Sequence, residues 1–282
     1  MKNIHIIGLG LLGGSFSLAL KKVKPELKIT GFDANLNHLK DAHTLGIIDE
    51  ASEDIPQDTD VVILATPVDS LEKLLIKALE EVGENTLLID FGSTKEALCK
   101  SVADHPKRAQ FLAGHPIAGT EYSGPKAAKD DLLEKKVFII CEMEKTDVHL
   151  KGMAYDIFEA LNMKLRFMDP EEHDRHLAFV SHLSHISSFM LGKTVLDKMA
   201  DDKNIFDMAG SGFASTVRLA KSSPGMWAPI MQANKENILE SLDAYIANLQ
   251  VFREKIHSGD TSELSSEMNE INKIGDILDL GK

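Results

Sequence analysis

Cysteine and positive charge are both scarce in this chain of 282 residues. The two cysteines, Cys99 and Cys141, lie too far apart for the spacing of a metal site, so we predict two reduced, buried thiols in a reducing compartment. The 44 acidic residues outnumber the 31 lysines and arginines, and the formal net charge is −13. An acidic surface repels nucleic-acid backbones and anionic membranes, so we expect neither as a partner. A small anionic substrate is still compatible with this charge, because a few positive groups in a cleft can bind it.

The chain also lacks an apolar run of membrane-spanning length near its start. The uncharged stretch 6–20 is too short for an ordinary membrane helix, and glycines interrupt it. Lys21 and Lys22 follow it without the small residues of a signal-peptide cleavage site. We therefore expect neither a membrane span nor export, and we predict a cytoplasmic protein.

Short apolar runs alternate with helical patterns in the first half of the chain. The runs are rich in Ile, Val, Leu and Phe without clean alternation, which is typical of strands covered on both faces. Helices are predicted between them, for example over 36–45 and 68–82, the second with Thr66 as its cap and Pro67 as its first residue. Alternating strands and helices predict a mostly parallel, Rossmann-type sheet over 1–168. The predicted strands are 3–7, 28–32, 61–65, 86–90, 110–113, 137–141 and 164–168.

Beyond residue 168 the pattern becomes helical. Asp169 is predicted to be the N-cap of a helix, because proline and acidic residues follow it in the first turn. A long helix is expected from there toward Lys198. Further helices are predicted from Ser223 toward Ile256 and over 261–278. The fold class is therefore α/β, with a Rossmann-type domain over 1–168 and an all-helical domain over 169–282.

A glycine-rich loop over 8–13 follows the first predicted strand and opens a helix. Its spacing, GxGxxG, lets Gly8 make the tight turn, Gly10 bring the backbone close to a pyrophosphate, and Gly13 pack the helix against the strand. The first N–H groups of the helix, around Leu11 and Leu12, would then face the phosphates. The context predicts a dinucleotide site.

An acid stands where such a site needs one. Asp33 ends the second strand, where a carboxylate accepts hydrogen bonds from the adenosine ribose and repels a 2′-phosphate, so NAD is favoured over NADP. Thr66 and Pro67 follow the third strand. They lie at the carboxyl edge of the sheet, where ligands bind in this fold, and are further candidates for cofactor contact.

Two side chains of the sheet half are candidates for chemistry. His115 follows a strand in a predicted Gly–His–Pro turn, and an imidazole pKa of about 6.5 suits a general base; a structural loop histidine is the alternative. Ser93 with Glu96 matches a capping box, so capping is the favoured interpretation, although a hydroxyl there could also face the nicotinamide or substrate.

The helical half adds candidates for anion binding. Arg218 follows a glycine turn among apolar residues and could hold a carboxylate, or form an ordinary salt bridge. Trp227 is expected in core or interface packing. His182 and His185 share a helix face, but no carboxylate stands at fitting spacing, so no metal is predicted. Solvated or core positions are the default for the remaining histidines of this segment, at 173 and 176.

Several segments together resemble the prephenate dehydrogenase family. The resemblance runs from about residue 3 to about residue 240, and the blocks around His115 and Arg218 are the specific ones. It implies NAD-dependent oxidative decarboxylation of prephenate to 4-hydroxyphenylpyruvate in tyrosine biosynthesis, and a homodimer built through the helical domains. The matching segments are the glycine loop with GSF after it, GHPIAGTE at 114–121, SHLSH at 181–185, RLAK at 218–221 and MW at 226–227.

The resemblance also implies roles for single residues. His115 would accept the proton of the substrate's C4 hydroxyl as hydride leaves C4 for the nicotinamide, and Ser93 would orient that hydroxyl and the cofactor. His185 and Arg218 would bind the substrate carboxylates. Thr120 and Glu121 would line the pocket.

Three alternatives stay open at this stage. Arogenate dehydrogenases share the fold and chemistry, with an amine in place of the keto group. β-Hydroxyacid dehydrogenases and imine reductases also join a Rossmann domain to helices, but rely on a lysine or aspartate in a motif that is not found here. An NAD-sensing protein without catalysis would not need His115 and Arg218 in one cleft.

Overall fold

The computed structural model describes residues 1–199, 202 and 204–280. Its centre is an eight-stranded sheet in the order β3-β2-β1-β4-β5-β6-β7-β8. All neighbouring strands are parallel except β6 and β7, which are antiparallel. The mostly parallel Rossmann-type fold is thereby confirmed. The strands are β1 Asn3–Ile7, β2 Lys28–Phe32, β3 Glu50–Ala51, β4 Val61–Leu64, β5 Leu87–Asp90, β6 Phe111–Pro116, β7 Val137–Cys141 and β8 Lys164–Met168.

Helices cover both faces of this sheet. Along β4, Val61 and Ile63 belong to one buried apolar cluster, and Val62 and Leu64 belong to the other. Both faces of the strand are therefore in a core, which explains why its sequence is continuously apolar rather than alternating. The helices of this half are α1 Leu11–Val23, α2 Leu36–Thr44, α3 Val68–Glu81, α4 Glu96–Ser101 and α5 Val148–Ala160.

Two predicted helix starts are wrong in detail. α3 has Pro67 as its N-cap and no side-chain cap, so Thr66 does not cap it. Ser93 does not cap α4 either, because Lys95 is the N-cap residue and the first N–H groups are bound by Asp174 instead. A carboxylate distant in sequence fills the role that the local pattern assigned to Ser93.

The helices after β8 are more broken than predicted. The Asp169 cap is confirmed, since its carboxylate accepts from the N–H groups of residues 171 and 172. Between α6 and α7 the chain makes a π-helical turn, Ala178–His182. The predicted helix from Ser223 breaks at Asn234, where ψ is 33° and the side-chain amide donates to the backbone carbonyl of Asp174 at 2.7 Å. The elements are α6 Pro170–Leu177, α7 Leu183–Met199, α8 Ser211–Thr216, α9 Pro224–Ala233, α10 Lys235–Ser258, α11 Thr261–Asn272 and α12 Ile274–Leu280.

The chain divides into two compact units, Met1–Lys235 and Glu236–Lys282. The first contains the sheet, its covering helices and α6 to α9; the second consists of most of α10 with α11 and α12. The last two residues of the predicted helical domain, 281 and 282, lie outside the described residues. Among the helices that the structure describes, none combines the length and apolar character needed to cross a membrane.

Candidate active site

The glycine loop has the geometry that its spacing predicts. Gly8 has φ of +97°, a conformation that favours glycine. A Cβ on Gly13 would lie 2.0 Å from the carbonyl oxygen of Gly8, so only glycine lets α1 start this close to β1. A Cβ on Gly10 would meet no atom within 4 Å, so the space in front of Gly10 is open. The loop therefore leaves room for a ligand at the position where a pyrophosphate is expected.

Polar groups around the loop fit a dinucleotide. α1 begins at Leu11 with Gly10 as its N-cap and no side-chain cap, so its first N–H groups face the open space. Asp33 lies beside the loop, where its carboxylate accepts a hydrogen bond from the N–H of Leu9 at 2.9 Å and one from the N–H of Asn35 at 2.9 Å. An oxygen of this carboxylate therefore stands at the end of β2, as ribose binding requires.

Thr66 and Pro67 lie at the carboxyl end of β4, next to the glycine loop. The Oγ1 atom of Thr66 is buried and has no hydrogen-bond partner among the described residues, and Pro67 is exposed as the N-cap of α3. A Cβ on Gly8 would approach Cγ2 of Thr66 to 3.0 Å, which places the two residues side by side. An unpaired buried hydroxyl at this edge fits a bound polar ligand.

His115 lies in β6 itself rather than in a turn after it. The predicted strand was too short: its first residues pair with β5 in parallel, and 113–116 pair with β7 in antiparallel register, His115 opposite Ile139. β6 therefore runs past the end of β5, and His115 stands on this extension, half-buried. Its Nδ1 lies 2.9 Å from Nε2 of His173 on α6.

A buried ion pair holds the backbone just before His115. Lys95 and Asp90 have fully buried side chains that contact each other. The Lys95 ammonium also donates to the carbonyl of Gly114 at 2.8 Å, and Asp90 accepts the N–H of Gly114 at 3.0 Å. Because both backbone groups of Gly114 are bound, the position of the next residue is fixed.

The histidines of this region are held neutral. Burial, followed by the interactions with His173 and Lys95, lowers the pKa of His115 well below 6.5. Burial also lowers the pKa of His182 to about 4 and lowers that of His185. A neutral imidazole has a free lone pair, so His115 is ready to accept a proton near pH 7.

Ser93 lies in the loop between β5 and α4 and is half-buried. Because Asp174 binds the first N–H groups of α4, the hydroxyl of Ser93 is not used for capping.

His185 is stacked on the single tryptophan. Its ring lies 3.4 Å from the ring of Trp227, centroid to centroid, at 25° between planes, and its Nδ1 is 3.2 Å from the carbonyl of Ser181. Trp227 is buried, in agreement with its predicted packing role, and its Nε1 has no partner among the residues described. His182 packs on the edge of the same indole, with 5.9 Å between centroids.

Arg218 lies against the segment that follows His115. Its guanidinium is 3.4 Å from the carboxylate of Glu121, and its side chain is 52% exposed, so it is free to bind an anion. Thr120 precedes Glu121, and its hydroxyl accepts the N–H of Tyr122 at 3.2 Å.

The structure thus gathers the predicted residues into two groups within the first unit. The glycine loop, Asp33 and Thr66 form one group at the carboxyl ends of β1, β2 and β4. The other group comprises the remaining predicted side chains, from the sheet half, from α7 and from the segments after it; within it Arg218 contacts Glu121. Its members are Ser93, His115, Thr120, Glu121, His185 and Arg218.

Sequence reasoning missed three residues that support His115. Lys95 and Asp174 carried no motif, and His173 was assigned by default to a core or solvated position. His173 is in fact in the core, fully buried, but it contacts His115. Only the three-dimensional contact between α6 and β6 reveals this, because the two histidines are far apart in sequence. No group of three or more potential metal ligands is found in the described part of the chain.

The sheet order, the glycine loop and a neutral histidine on β6 are features of a dinucleotide-dependent dehydrogenase. Two family models match the chain: "Prephenate dehydrogenase, nucleotide-binding domain" over 16–167 and "Prephenate dehydrogenase, dimerization domain" over 169–270. Together they cover more than half of it, and the chain belongs to the prephenate dehydrogenase family.

Individual relatives agree with this family. A prephenate dehydrogenase of Bacillus subtilis is 34% identical over 93% of this chain and 72% of its own length. A cyclohexadienyl dehydrogenase of Zymomonas mobilis is 29% identical over 96% of this chain and 94% of its own. The crystal structure of an Aquifex aeolicus prephenate dehydrogenase with hydroxyphenyl propionate and NAD+ has a TM-score of 0.89 at 33% identity, covering 98% of each chain.

Proposed function

We propose that this protein oxidatively decarboxylates prephenate to 4-hydroxyphenylpyruvate with NAD. One observation carries the proposal: Arg218 from the helical half contacts Glu121, which lies in the segment that follows the neutral His115. Family membership and the similarity to the NAD-bound Aquifex aeolicus enzyme support it. A sensor that only bound NAD would need neither a base nor an anion-binding arginine at this edge.

The glycine loop and Thr66 would hold NAD, which when bound accepts a hydride from C4 of the substrate. Asp33 would bind the adenosine ribose, where its charge disfavours a 2′-phosphate. The loop N–H groups at Leu11 and Leu12 would bind the pyrophosphate.

His115 would take the proton of the C4 hydroxyl through Nε2, and Ser93 would orient that hydroxyl. Loss of the ring carboxylate as CO2 sends an electron pair through the ring to the same oxygen, which makes the ring aromatic. That oxygen then takes the proton back from His115, so the reaction releases no net proton. The residues of the chain therefore need only position the substrate, hold a proton and neutralise charge.

Arg218 and His185 would bind the substrate's carboxylates. In the free protein Arg218 contacts Glu121 at a long 3.4 Å, and a substrate carboxylate can replace so weak a contact. The Trp227 ring would hold His185 in place by stacking. Thr120 and Glu121 would line the pocket, with Glu121 controlling access to Arg218.

We further propose that the chain acts as a homodimer with a dinucleotide-binding domain over 1–168 and a helical substrate and dimerisation domain over 169–282. A match to a dimerisation-domain family and apolar side chains left exposed on the helices support this. Sedimentation should give twice the chain mass of 31.0 kDa. Reduced, buried thiols at Cys99 and Cys141 support a cytoplasmic location. Exposed apolar residues include Leu191, Leu196, Leu249, Ile256, Ile271 and Ile277.

The test of the reaction is NADH production with prephenate and with arogenate side by side. We expect turnover with prephenate and a much lower kcat/KM with arogenate. A higher kcat/KM with arogenate would show that arogenate is the preferred substrate. The absence of NADH production with both compounds would refute the proposed activity.

A further inference from the structure

A chain of hydrogen bonds leads from His115 into the core of the first unit. Nδ1 of His115 is 2.9 Å from Nε2 of His173, and Nδ1 of His173 is 2.7 Å from Oδ1 of Asp174. The two imidazoles meet edge to face, at 66° and 5.1 Å between centroids. His173 is fully buried and Asp174 is 2% exposed, so neither can touch a substrate.

Both oxygens of the Asp174 carboxylate act as hydrogen-bond acceptors. Besides His173, it accepts the backbone N–H of Lys95 at 2.8 Å and that of Glu96 at 3.0 Å. These N–H groups open α4, and a carboxylate at a helix start also gains from the helix dipole. The two backbone N–H groups can be satisfied only by an acceptor.

This arrangement sets the protons of both histidines. Because Asp174 is an acceptor, His173 carries its hydrogen on Nδ1, and its Nε2 has the lone pair. His115 must then donate to that lone pair from its own Nδ1. In neutral His115 the only remaining lone pair is on Nε2, which accepts no hydrogen bond from the part of the chain that the structure describes.

We propose that His173 and Asp174 are positioning residues that fix the tautomer of His115, with hydrogen on Nδ1 and the lone pair on Nε2 toward the substrate hydroxyl. The inference rests on the proposed role of His115 as the base. When Nε2 takes the proton, His115 becomes an imidazolium whose Nδ1–H still points at His173. The negative charge of Asp174, two hydrogen bonds away, then stabilises the positive charge without itself taking a proton.

Without this chain the wrong tautomer would be accessible. Neutral imidazole can carry its hydrogen on either nitrogen, and a His115 with hydrogen on Nε2 presents a donor where the substrate needs an acceptor. Burial and the Lys95 ammonium, which lies at the carbonyl of Gly114, oppose a positive charge on His115, and the acceptor chain to Asp174 offsets part of that effect.

The direct test is the tautomer of His115, read by 15N NMR of histidine-labelled protein with NAD and without substrate. His115→Gln assigns the signal. In the native protein we expect a protonated Nδ1 and a bare Nε2 on His115. In His173→Leu, which removes the acceptor, we expect the Nε2–H form to be populated. In His173→Gln, whose side-chain carbonyl can still accept from Nδ1–H, we expect the native tautomer.

Kinetics give the second readout. His173→Leu should lower kcat for prephenate by about 10²-fold or more, while KM for prephenate and NAD affinity stay unchanged. His173→Gln should recover much of that loss. His176→Gln is the matched control on the same helix, because His176 is exposed and its ion pair is with Glu172, 3.7 Å away; it should change neither readout.

Two results would overturn the inference. A native His115 with hydrogen on Nε2 would contradict the deduced tautomer, and so would an unchanged tautomer and kcat in a folded His173→Leu variant that binds NAD. If His173→Leu fails to fold, the tautomer of His115 is compared between His173→Gln and Asp174→Asn. An amide at 174 can turn its N–H toward Nδ1 of His173, which reverses both hydrogen bonds, so His115 should carry its hydrogen on Nε2 in Asp174→Asn and on Nδ1 in His173→Gln. The same tautomer in both variants would contradict the inference. The NMR measurement needs no substrate, so it remains valid if prephenate proves to be the wrong substrate.

Discussion

His115 is useful to a reaction at neutral pH because the fold keeps its imidazole uncharged. Burial and the nearby Lys95 disfavour the imidazolium, and the hydrogen bond from Nδ1 leaves Nε2 as the acceptor. The same surroundings make the protonated state costly, which explains why a compensating negative charge at Asp174 matters. A base of this kind works by the arrangement around it as much as by its own pKa.

Arg218 should bind substrate through charge. Arg218→Ala is expected to weaken prephenate binding by about 1.5–3 kcal/mol, the range for a hydrogen bond to a charged group, seen as a rise in KM of roughly 10- to 150-fold. Arg253→Ala is the matched control, because Arg253 is exposed and its ion pair is with its neighbour Glu254. An unchanged KM in Arg218→Ala would remove Arg218 from the substrate site.

Asp33 should select the cofactor. Its carboxylate binds the N–H of Leu9 at 2.9 Å and stands at the expected ribose position. Asp33→Asn keeps an acceptor for Leu9 and removes the charge, so the ratio of NADP to NAD affinity, measured by calorimetry, should rise. Asp33→Ala should weaken NAD more than NADP. Equal losses for both cofactors would show that Asp33 only supports the loop.

At the level of elements, apolar composition was sufficient to predict seven of the strands in the eight-stranded sheet. The missed strand, β3, has two exposed residues and no apolar run, and only its pairing with β2 defines it. The break at Asn234 was missed for a related reason. It depends on a side-chain bond to the carbonyl of Asp174, which no local pattern contains.

The site was predictable where a motif acts locally and not where contacts are distant. The spacing of the glycine loop predicts the roles of Gly8, Gly10 and Gly13. The cap of α4 was assigned to Ser93 because the pattern S-x-x-E is local, whereas the observed cap is Asp174, far along the chain. A tertiary contact replaces the capping box here, because the carboxylate of Asp174 binds the N–H groups at the start of the helix.

The glycine loop offers a matched pair of substitutions. In Gly10→Ala the new methyl would meet no atom within 4 Å, so Tm should be unchanged while NAD affinity falls by about tenfold or more. In Gly13→Ala the methyl would lie 2.0 Å from a backbone carbonyl, so stability should fall by about 1–3 kcal/mol or more. Differential scanning calorimetry and NAD titration separate the two. A Gly10→Ala protein with native NAD affinity would show that the cofactor does not approach this loop.

On the scale of the whole molecule, an acidic protein must focus positive charge to bind a dianion. The net charge is −13, yet the second group of site residues contains Arg218 together with two uncharged histidines, His115 and His185. Because Arg218 pairs only weakly with Glu121, little free energy is lost when its guanidinium binds a substrate carboxylate instead. The rest of the surface is acidic, which is compatible with an enzyme that acts on small metabolites.

Stability should fall in acid because several histidines are buried uncharged. Burial lowers the pKa of His5 to about 4 and that of His182 to about 4. The unfolded chain binds protons at these groups below about pH 6.5 while the folded chain does not, so the free energy of unfolding decreases as pH falls from 6.5 to 4, by on the order of 3 kcal/mol for each histidine.

Urea unfolding at a series of pH values measures this slope. His5→Leu should flatten it, whatever its effect on absolute stability, since one titrating group is lost. His176→Gln, at an exposed position, should leave it unchanged. A free energy of unfolding that stays constant between pH 7 and pH 4.5 would contradict neutral burial of these histidines.

The most direct measurement compares native protein with His115→Asn, following NADH formed from prephenate and determining NAD affinity in parallel. If His115 is the base, kcat falls by roughly 10²–10⁴-fold while NAD affinity stays nearly the same. A folded His115→Asn protein with native kcat would contradict the central role of this residue.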